Sequence, residues 1–152
     1  MSQPPGYMLN NPFDLMFNPN ITWDGQVTPQ APGTSLLAFD TAVEGLRAGM
    51  KDAHTKVYVD GLNTLNLFLP KFAPPESNDT AGYIANMSLW LGIGADDPID
   101  ISTVESMVLW AKCINRQEIG NDPITNLPRY SDALYAYAAE LALGLPGGSA
   151  NA

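Results

Sequence analysis

The amino-acid sequence predicts an all-α protein: a single compact helical domain of about five helices, preceded by a long proline-rich N-terminal arm. Apolar residues recur at three- and four-residue spacing from Thr41 onward, which is typical of amphipathic helices. No stretch alternates apolar and polar residues for long enough to predict a strand. Six of the thirteen prolines fall within the first 38 residues, and proline disfavours a helix interior.

The same patterns divide the 152 residues into three parts. Residues 1–38 are expected to form an irregular arm, whose apolar side chains pack on the helical body or on a partner chain. Residues 39–145 are expected to form the helical domain. Residues 146–152 are small and polar, and are expected to form a flexible tail. A chain of this length favours one domain over two.

Cap residues and apolar periodicity place the first two helices. Thr41 and Glu44 have the spacing of a capping box, and the helix that they open is expected to end near Gly61. The second helix fits residues 64–72. Because Pro70 has no N–H to donate, this helix is expected to bend or to begin late.

Three further helices follow from the same signals. Asp79 is expected to cap a helix that runs to about Leu91. The segment 102–105 reads Ser-Thr-Val-Glu, a second capping box that opens the fourth helix. Ser131 is expected to cap the last helix, which ends near Leu143, before a glycine.

The charge of the chain excludes several classes of function. Seven Lys and Arg against sixteen Asp and Glu give a net charge of −9, and the seven cations are scattered. Nucleic-acid binding through the phosphate backbone needs clustered cations, so no nucleic-acid partner is expected. Long-range attraction to anionic lipid or to the polyanionic bacterial wall is disfavoured too. The sequence contains no run of 18 apolar residues, so membrane insertion is not expected. The N-terminus does not have the pattern of a secretory signal.

Neither a metal nor a cofactor is expected. One Cys and one His cannot build a zinc site. The acidic segment 96–100 lacks the EF-hand spacing and its final Glu. No nucleotide-binding or nucleophile-elbow motif is present. His54 is expected on an exposed helix face, and Cys113 as a buried structural thiol.

Glu118 is the candidate catalytic residue. It lies at the predicted end of the fourth helix, just before Gly120. The negative end of the helix dipole favours a protonated carboxyl, and partial burial acts in the same direction. A neutral carboxylic acid is what protonation of a glycosidic oxygen requires. The alternative is a surface glutamate that pairs with Arg116 or Arg129.

Several segments, in order along residues 10–143, resemble a family of small bacteriophage and prophage proteins that are labelled as virion or structural proteins and have lysozyme-like or lytic-transglycosylase-like character. The family has the motifs NPGNIRYN, W-x-GQ, FxxFDxxxxGIRA, GLNT, RWAPPSENDT, DDPIDL, HENG and YSD. The matching segments of this chain are Asn11-Pro12 and Asn18-Pro19, Trp23–Gln26, Ala38–Thr41, Gly45–Ala48, Gly61–Thr64, Lys71–Thr80, Asp96–Ile101, Gln117–Gly120 and Tyr130–Asp132.

The resemblance implies a lysozyme-like scaffold and a set of site residues. Glu118 occupies the Glu of HENG, which implies the role of general acid. Trp23, Gln26, Arg47 and Tyr130 occupy family positions, which implies that they orient the acid or line a sugar groove. No metal ligand is implied.

The chain also departs from the family. The NPGNIR motif is replaced by residues 11–16, Asn-Pro-Phe-Asp-Leu-Met, and Gln117 and Ile119 replace the His and Asn that flank the acid. A catalytic group depends on its supporting neighbours, so these replacements predict weakened catalysis. The alternative to a role in the site for Arg47 is that of a buried side chain that pairs with Asp40 or Glu44.

Two functions from different classes follow. The first is a bacteriophage virion structural protein that mediates assembly or wall contact during genome delivery. Its expected partners are other virion proteins, copies of itself and peptidoglycan, and it is expected in the virion after synthesis in the host cytoplasm. The alternative is an active virion-associated peptidoglycan hydrolase, a muramidase or lytic transglycosylase with Glu118 as general acid. Whether the chain is an enzyme therefore depends on whether Glu118 faces an open groove.

Overall fold

The computed structural model describes residues 3–145, and the prediction of an all-α chain is confirmed for them. These residues form no strand, only two isolated antiparallel bridges, Met16 with Leu36 and Gln26 with Phe39. The predicted flexible tail, 146–152, lies outside the described residues. The helices are α1 (Pro5–Met8), α2 (Ala42–Tyr58), α3 (Leu65–Phe72), α4 (Thr80–Leu91), α5 (Val104–Glu118) and α6 (Asp132–Leu143).

The prediction of about five helices missed α1. This single turn begins at Pro5, whose fixed φ suits the first position of a helix and whose missing N–H is not needed there. The amide of Leu9 closes the turn by donating to the Pro5 carbonyl at 2.9 Å. The proline that disfavours a helix interior therefore starts a helix here.

Three of the four predicted caps are confirmed, and the fourth is shifted by one residue. The side chains that accept a backbone N–H as predicted are those of Thr41, Asp79 and Ser131. Thr64 caps α3 in the same way. For α5 the cap is Thr103 with Ser106, not Ser102 with Glu105. The reason is that the Asp100 carboxylate accepts both the amide and the hydroxyl of Ser102, at 3.0 and 2.6 Å, and so holds Ser102 outside the helix.

Of the two expectations for Pro70, a bend in α3 or a late start, the late start is wrong. The helix spans Leu65–Phe72 with Pro70 inside it. Three of its apolar side chains, Leu65, Phe68 and Leu69, are fully buried. Burial of a large apolar side chain contributes about 1.5–3 kcal/mol, which offsets the hydrogen bond that proline removes.

The helical body, residues 42–143, surrounds one apolar core. Helix α2 packs on α5 and α6, while α4 packs on α3 and α5. Trp110 of α5 lies in the core with its ring edge-on to Phe68, at a centroid distance of 4.9 Å. Within residues 3–145, no helix has the length and apolar character needed to cross a membrane.

The N-terminal segment, residues 3–41, lies against the helical body. Phe13, Leu37 and Phe39 are buried in the shared core. Two glycines of α2 allow the close approach, since a Cβ on Gly45 would overlap the Asn10 carbonyl and one on Gly49 would overlap the Phe13 ring. The segment thus lies directly on the backbone of α2.

Candidate functional site

Glu118 is the last residue of α5, and its carboxyl is held neutral by its surroundings. The pKa of this carboxyl is raised to about 8, first by burial and then by the side chain and charge of Asp14, against a lowering contribution from the Tyr83 hydroxyl. Glu118 is therefore mostly protonated at neutral pH, the state in which it can donate a proton.

Asp14 comes from a tight turn of the N-terminal segment. Its φ of +50° is left-handed, which aspartate tolerates better than most residues. The turn is fixed by Asn11, which is fully buried. Its amide donates to the carbonyls of Leu15 and Leu37 at 3.0 and 2.9 Å, while its oxygen accepts from the Leu15 amide at 2.9 Å. These contacts hold the Asp14 carboxyl beside Glu118, where burial raises its pKa too.

Asn115 joins this turn to the helix that carries Glu118. It lies three residues before Glu118 on α5 and is buried. Its amide donates to the Pro12 carbonyl at 2.9 Å, and its oxygen accepts from the Tyr135 hydroxyl of α6 at 2.8 Å. One side chain thereby fixes the position of the Asp14 turn relative to two helices.

Tyr83 of α4 is the third polar group at Glu118. It is buried, and burial together with the neighbouring carboxyls of Glu118 and Asp14 raises the pKa of its hydroxyl well above the usual value. The Tyr83 hydroxyl and Asp14 Oδ1 are both buried without a well-aligned hydrogen-bond partner among residues 3–145. The interactions of Glu118 with both groups are therefore close but not ideally directed, which leaves donor and acceptor capacity at the site.

Glu118 is open to a pocket of about 450 Å³, here called the Glu118 pocket. Its walls come from the N-terminal segment, from the end of α3 and from the loop after it. The lining residues are Pro5, Phe13, Asp14, Met16, Leu36, Phe72, Ala73, Pro74, Ser77, Asn78 and Glu118. A volume of this size lies within the range of small-molecule sites.

A second pocket of about 370 Å³, here called the Trp23 pocket, adjoins the first. The two share Asp14, Met16 and Phe72 in their walls, so Asp14 lies between them. Pockets of similar size occur elsewhere, including one of about 490 Å³ along α5 that is lined by Leu109 and Lys112. The Glu118 pocket is distinguished by its protonated acid, not by its volume.

Of the four residues that the resemblance adds to Glu118, only Trp23 lines a pocket that adjoins the Glu118 pocket. Trp23 is half-buried and lines the Trp23 pocket. Gln26 supports the turn instead, since its side-chain oxygen accepts from the Trp23 amide at 3.0 Å. Tyr130 lines a different pocket and packs between Tyr7 and Tyr135, with centroid distances of 5.7 and 5.9 Å.

Arg47 is buried, as predicted by the alternative in which it is a structural ion-pair residue. Its guanidinium lies 3.7 Å from the Asp24 carboxylate, at the turn that carries Trp23, where the sequence had suggested Asp40 or Glu44. Arg47 thus connects α2 to the Trp23 turn and lies outside the lining of both pockets.

The surface ion pair considered for Glu118 is absent among residues 3–145. Arg116 stacks on the Trp90 ring at 4.2 Å. Arg129 lies over the Tyr7 ring at 5.0 Å and donates to the carbonyls of Ile119 and Gly120 at 3.3 and 3.0 Å. Both arginines are engaged away from the Glu118 carboxyl.

Cys113 and His54 pack against their neighbours and line neither the Glu118 pocket nor the Trp23 pocket. Cys113 is buried, as predicted, and burial raises the pKa of its thiol to about 11. His54 is half-buried on α2, with its ring 4.6 Å from that of Tyr58. Residues 3–145 contain no group of three or more acidic, His or Cys side chains arranged to hold a metal ion.

Sequence reasoning missed Asp14 and Tyr83. Asp14 lies in the segment that replaces the family motif NPGNIR. From the sequence, this segment indicates only that family residues are missing and does not identify Asp14 as a new site residue. The Asn11-Pro12 turn signal just before it was the one available clue. Tyr83 lies on the inner face of α4, where the sequence predicts that an aromatic residue belongs to the hydrophobic core.

Comparison with known proteins finds a bacteriophage relative. No protein-family profile matches the chain. The chain is similar to protein P5 of Pseudoalteromonas phage PM2, with 26% identity over 122 residues that cover 79% of this chain and 74% of that protein. This similarity links the chain to a bacteriophage protein.

Proposed function

We propose that this chain is a bacteriophage virion protein whose Glu118 pocket cleaves the β-1,4 glycosidic bond of peptidoglycan by general-acid catalysis. The observation that carries the proposal is the pKa of about 8 for a Glu118 carboxyl that is open to a pocket. The similarity to a phage PM2 protein supports the phage setting. The motif resemblance to lysozyme-like phage proteins supports the choice of substrate.

The chemistry follows from the protonation state. Neutral Glu118 donates its proton to the glycosidic oxygen while the bond from that oxygen to the sugar carbon C1 breaks and its electron pair goes to the oxygen. The positive charge that develops at C1 is stabilised by a neighbouring carboxylate, and Asp14 lines the same pocket. Attack on C1 by water gives a reducing end, whereas attack by the sugar's own 6-hydroxyl gives an anhydro end. In both cases the proton of the attacking O–H passes to the Glu118 carboxylate, which restores the acid.

Delivery by a virion agrees with the charge of the chain. A protein of net charge −9 is not attracted to a polyanionic wall by long-range electrostatics. A protein carried to the wall by a particle is already at high local concentration and needs no such attraction. The partners proposed are other virion proteins and the wall glycan.

A virion protein with a purely structural role is the second candidate. It is favoured by the residues that flank the acid, because Ile119 is an apolar, buried side chain and Gln117 accepts from the Asn86 amide at 2.9 Å. Neither residue supports the Glu118 carboxyl, where the family motif has His and Asn. In this case the chain keeps the helical scaffold for assembly alone.

Clearing of purified peptidoglycan, with mass analysis of the released fragments, separates the two candidates. Wild type should clear the suspension, and Glu118→Gln should be slower by at least about a hundredfold because the amide cannot donate the proton. Glu140→Gln is the matched control, since Glu140 lies near the end of α6 and outside the pocket. No clearing by folded wild type between pH 4.5 and 8 would refute the hydrolase and leave the structural role.

A further inference from the structure

We propose that the Trp23 pocket is a subsite for a carboxylate-bearing part of the glycan, recognised by Lys71. The inference rests on the proposed function and specifies its substrate: an anionic glycan in preference to a neutral one.

The two pockets lie side by side and share part of their lining. Asp14, Met16 and Phe72 line both, so a ligand that extends past Glu118 along these residues enters the Trp23 pocket. The volumes of about 450 and 370 Å³ each fall within the usual range for ligand sites. An oligosaccharide of several rings is the kind of ligand that occupies such a path.

One of the two cations that line the Trp23 pocket has no ion-pair partner within residues 3–145. Four charged side chains line it: Asp14, Asp52, Lys56 and Lys71. Lys56 and Asp52 neutralise each other, with N–O distances of 2.7 and 2.8 Å. The Asp14 carboxyl lies beside Glu118 and forms no ion pair with either lysine within residues 3–145. Lys71 is exposed and forms no ion pair or hydrogen bond within residues 3–145.

The apolar walls suit a sugar ring beside that cation. The indole of Trp23 is half-buried, and Phe17 and Ile21 are each about two-fifths exposed at 42% and 41%. Rigid aromatic faces at a partly wet surface pack well against the C–H faces of sugar rings. A ring held there places its charged substituent within the field of Lys71, while its neutral parts contact the aromatic wall.

The distribution of charge points to the ligand class. The chain has seven cationic residues against sixteen acidic ones, yet this pocket is lined by two of each. Wall glycan carries carboxylates from two sources, the lactyl group of muramyl sugars that bear no peptide and, where a peptide is attached, the peptide itself. Chitin oligosaccharides have the same β-1,4 linkage and N-acetyl groups but no carboxylate. Lys71 therefore favours wall glycan over chitin.

Binding to the Glu118→Gln variant tests the inference apart from catalysis. Calorimetry would compare three probes: chitotetraose, a peptide-free muramyl glycan with free lactyl carboxylates, and the same glycan with its peptides. At least one anionic probe should bind more tightly than chitotetraose, and comparing the two anionic probes identifies the source of the carboxylate. Adding Lys71→Glu should weaken that probe by about threefold to tenfold and spare chitotetraose. Lys51→Glu, on α2 outside the pocket lining, is the matched control.

Each outcome has a distinct meaning. Equal binding of neutral and anionic probes, or no effect of Lys71→Glu, would overturn the Lys71 subsite and leave general-acid catalysis by Glu118 standing. Absence of binding by every probe would overturn both the subsite and the proposed glycan site. Loss of selectivity at high salt in the Glu118→Gln background would support an ionic contact at an exposed lysine.

Discussion

In the helical body each long helix buries apolar residues at helical spacing, whereas the N-terminal segment is held by a few specific polar contacts and by close approaches to glycine. On α5, the buried Met107, Trp110 and Ile114 recur at three and four residues. In the N-terminal segment, Asn11 and Asn115 make the hydrogen bonds that a regular element would otherwise supply.

The two regions also contribute differently to the candidate site. The helical body supplies Glu118 and Tyr83, but the segment supplies Asp14 and much of the pocket wall. The segment is therefore needed for the site more than for the helices. Changes that loosen it should abolish the pocket while most of the helical content remains.

The largest effect is expected from Gly49→Ala. Its Cβ would overlap the Phe13 ring, so the segment must move off α2, at a cost of about 2–3 kcal/mol in the free energy of unfolding. Urea unfolding measures this cost, and far-UV circular dichroism should show little loss of helix. Gly82→Ala is the control, because its methyl meets only the Asp79 cap and costs about 1 kcal/mol or less. Equal stability of the two variants would contradict a close-packed segment.

A comparable loss is expected from Asn115→Ala, which separates the two regions at their shared hydrogen bonds. It leaves the Pro12 carbonyl and the Tyr135 hydroxyl unpaired, which should cost about 2–3 kcal/mol and abolish peptidoglycan clearing. Tyr135→Phe removes only the bond within the helical body, should cost about 1 kcal/mol and should keep the activity. Equal loss of clearing in both variants would refute the positioning role of the Asn115–Pro12 contact.

A smaller effect, opposite in sign, is expected from Glu118→Gln. The folded-state pKa of about 8 is above the ordinary 4.5, so the unfolded chain loses this proton first as pH rises. The contribution of Glu118 to wild-type stability is then greatest below pH 4.5 and falls until pH 8. The variant does not titrate and should be more stable than wild type by about 1–3 kcal/mol at pH 8, and equal to it near pH 4. A variant less stable than wild type at pH 8 would contradict the buried neutral acid.

The sequence predicted the helical body because its elements are local. Apolar spacing and cap residues identify α2 from Thr41 and α6 from Ser131, since each signal lies within four residues of its effect. The position of Glu118 at a helix end followed from the same periodicity. The shifted cap of α5 shows the limit, because the carboxylate of Asp100 decides between two adjacent hydroxyls.

The rest of the site could not be predicted because it depends on contacts between distant parts of the chain. Asp14 meets Glu118 only when Asn115 binds the Pro12 carbonyl, a contact across 103 residues. Tyr83 reaches the same carboxyl from a third element. No periodic pattern in the sequence predicts contacts between residues so far apart. An aspartate with a left-handed backbone in an irregular segment has no sequence pattern that identifies it.

Carbon-13 NMR titration of the Glu118 side-chain carboxyl tests most directly that the two regions together hold a neutral acid. The pKa should be about 8 in wild type, and Asp14→Asn should lower it, though not to the ordinary value, because burial is the main cause of the shift. A wild-type pKa near 4.5, unchanged by Asp14→Asn, would contradict the assignment of Glu118 as a general acid.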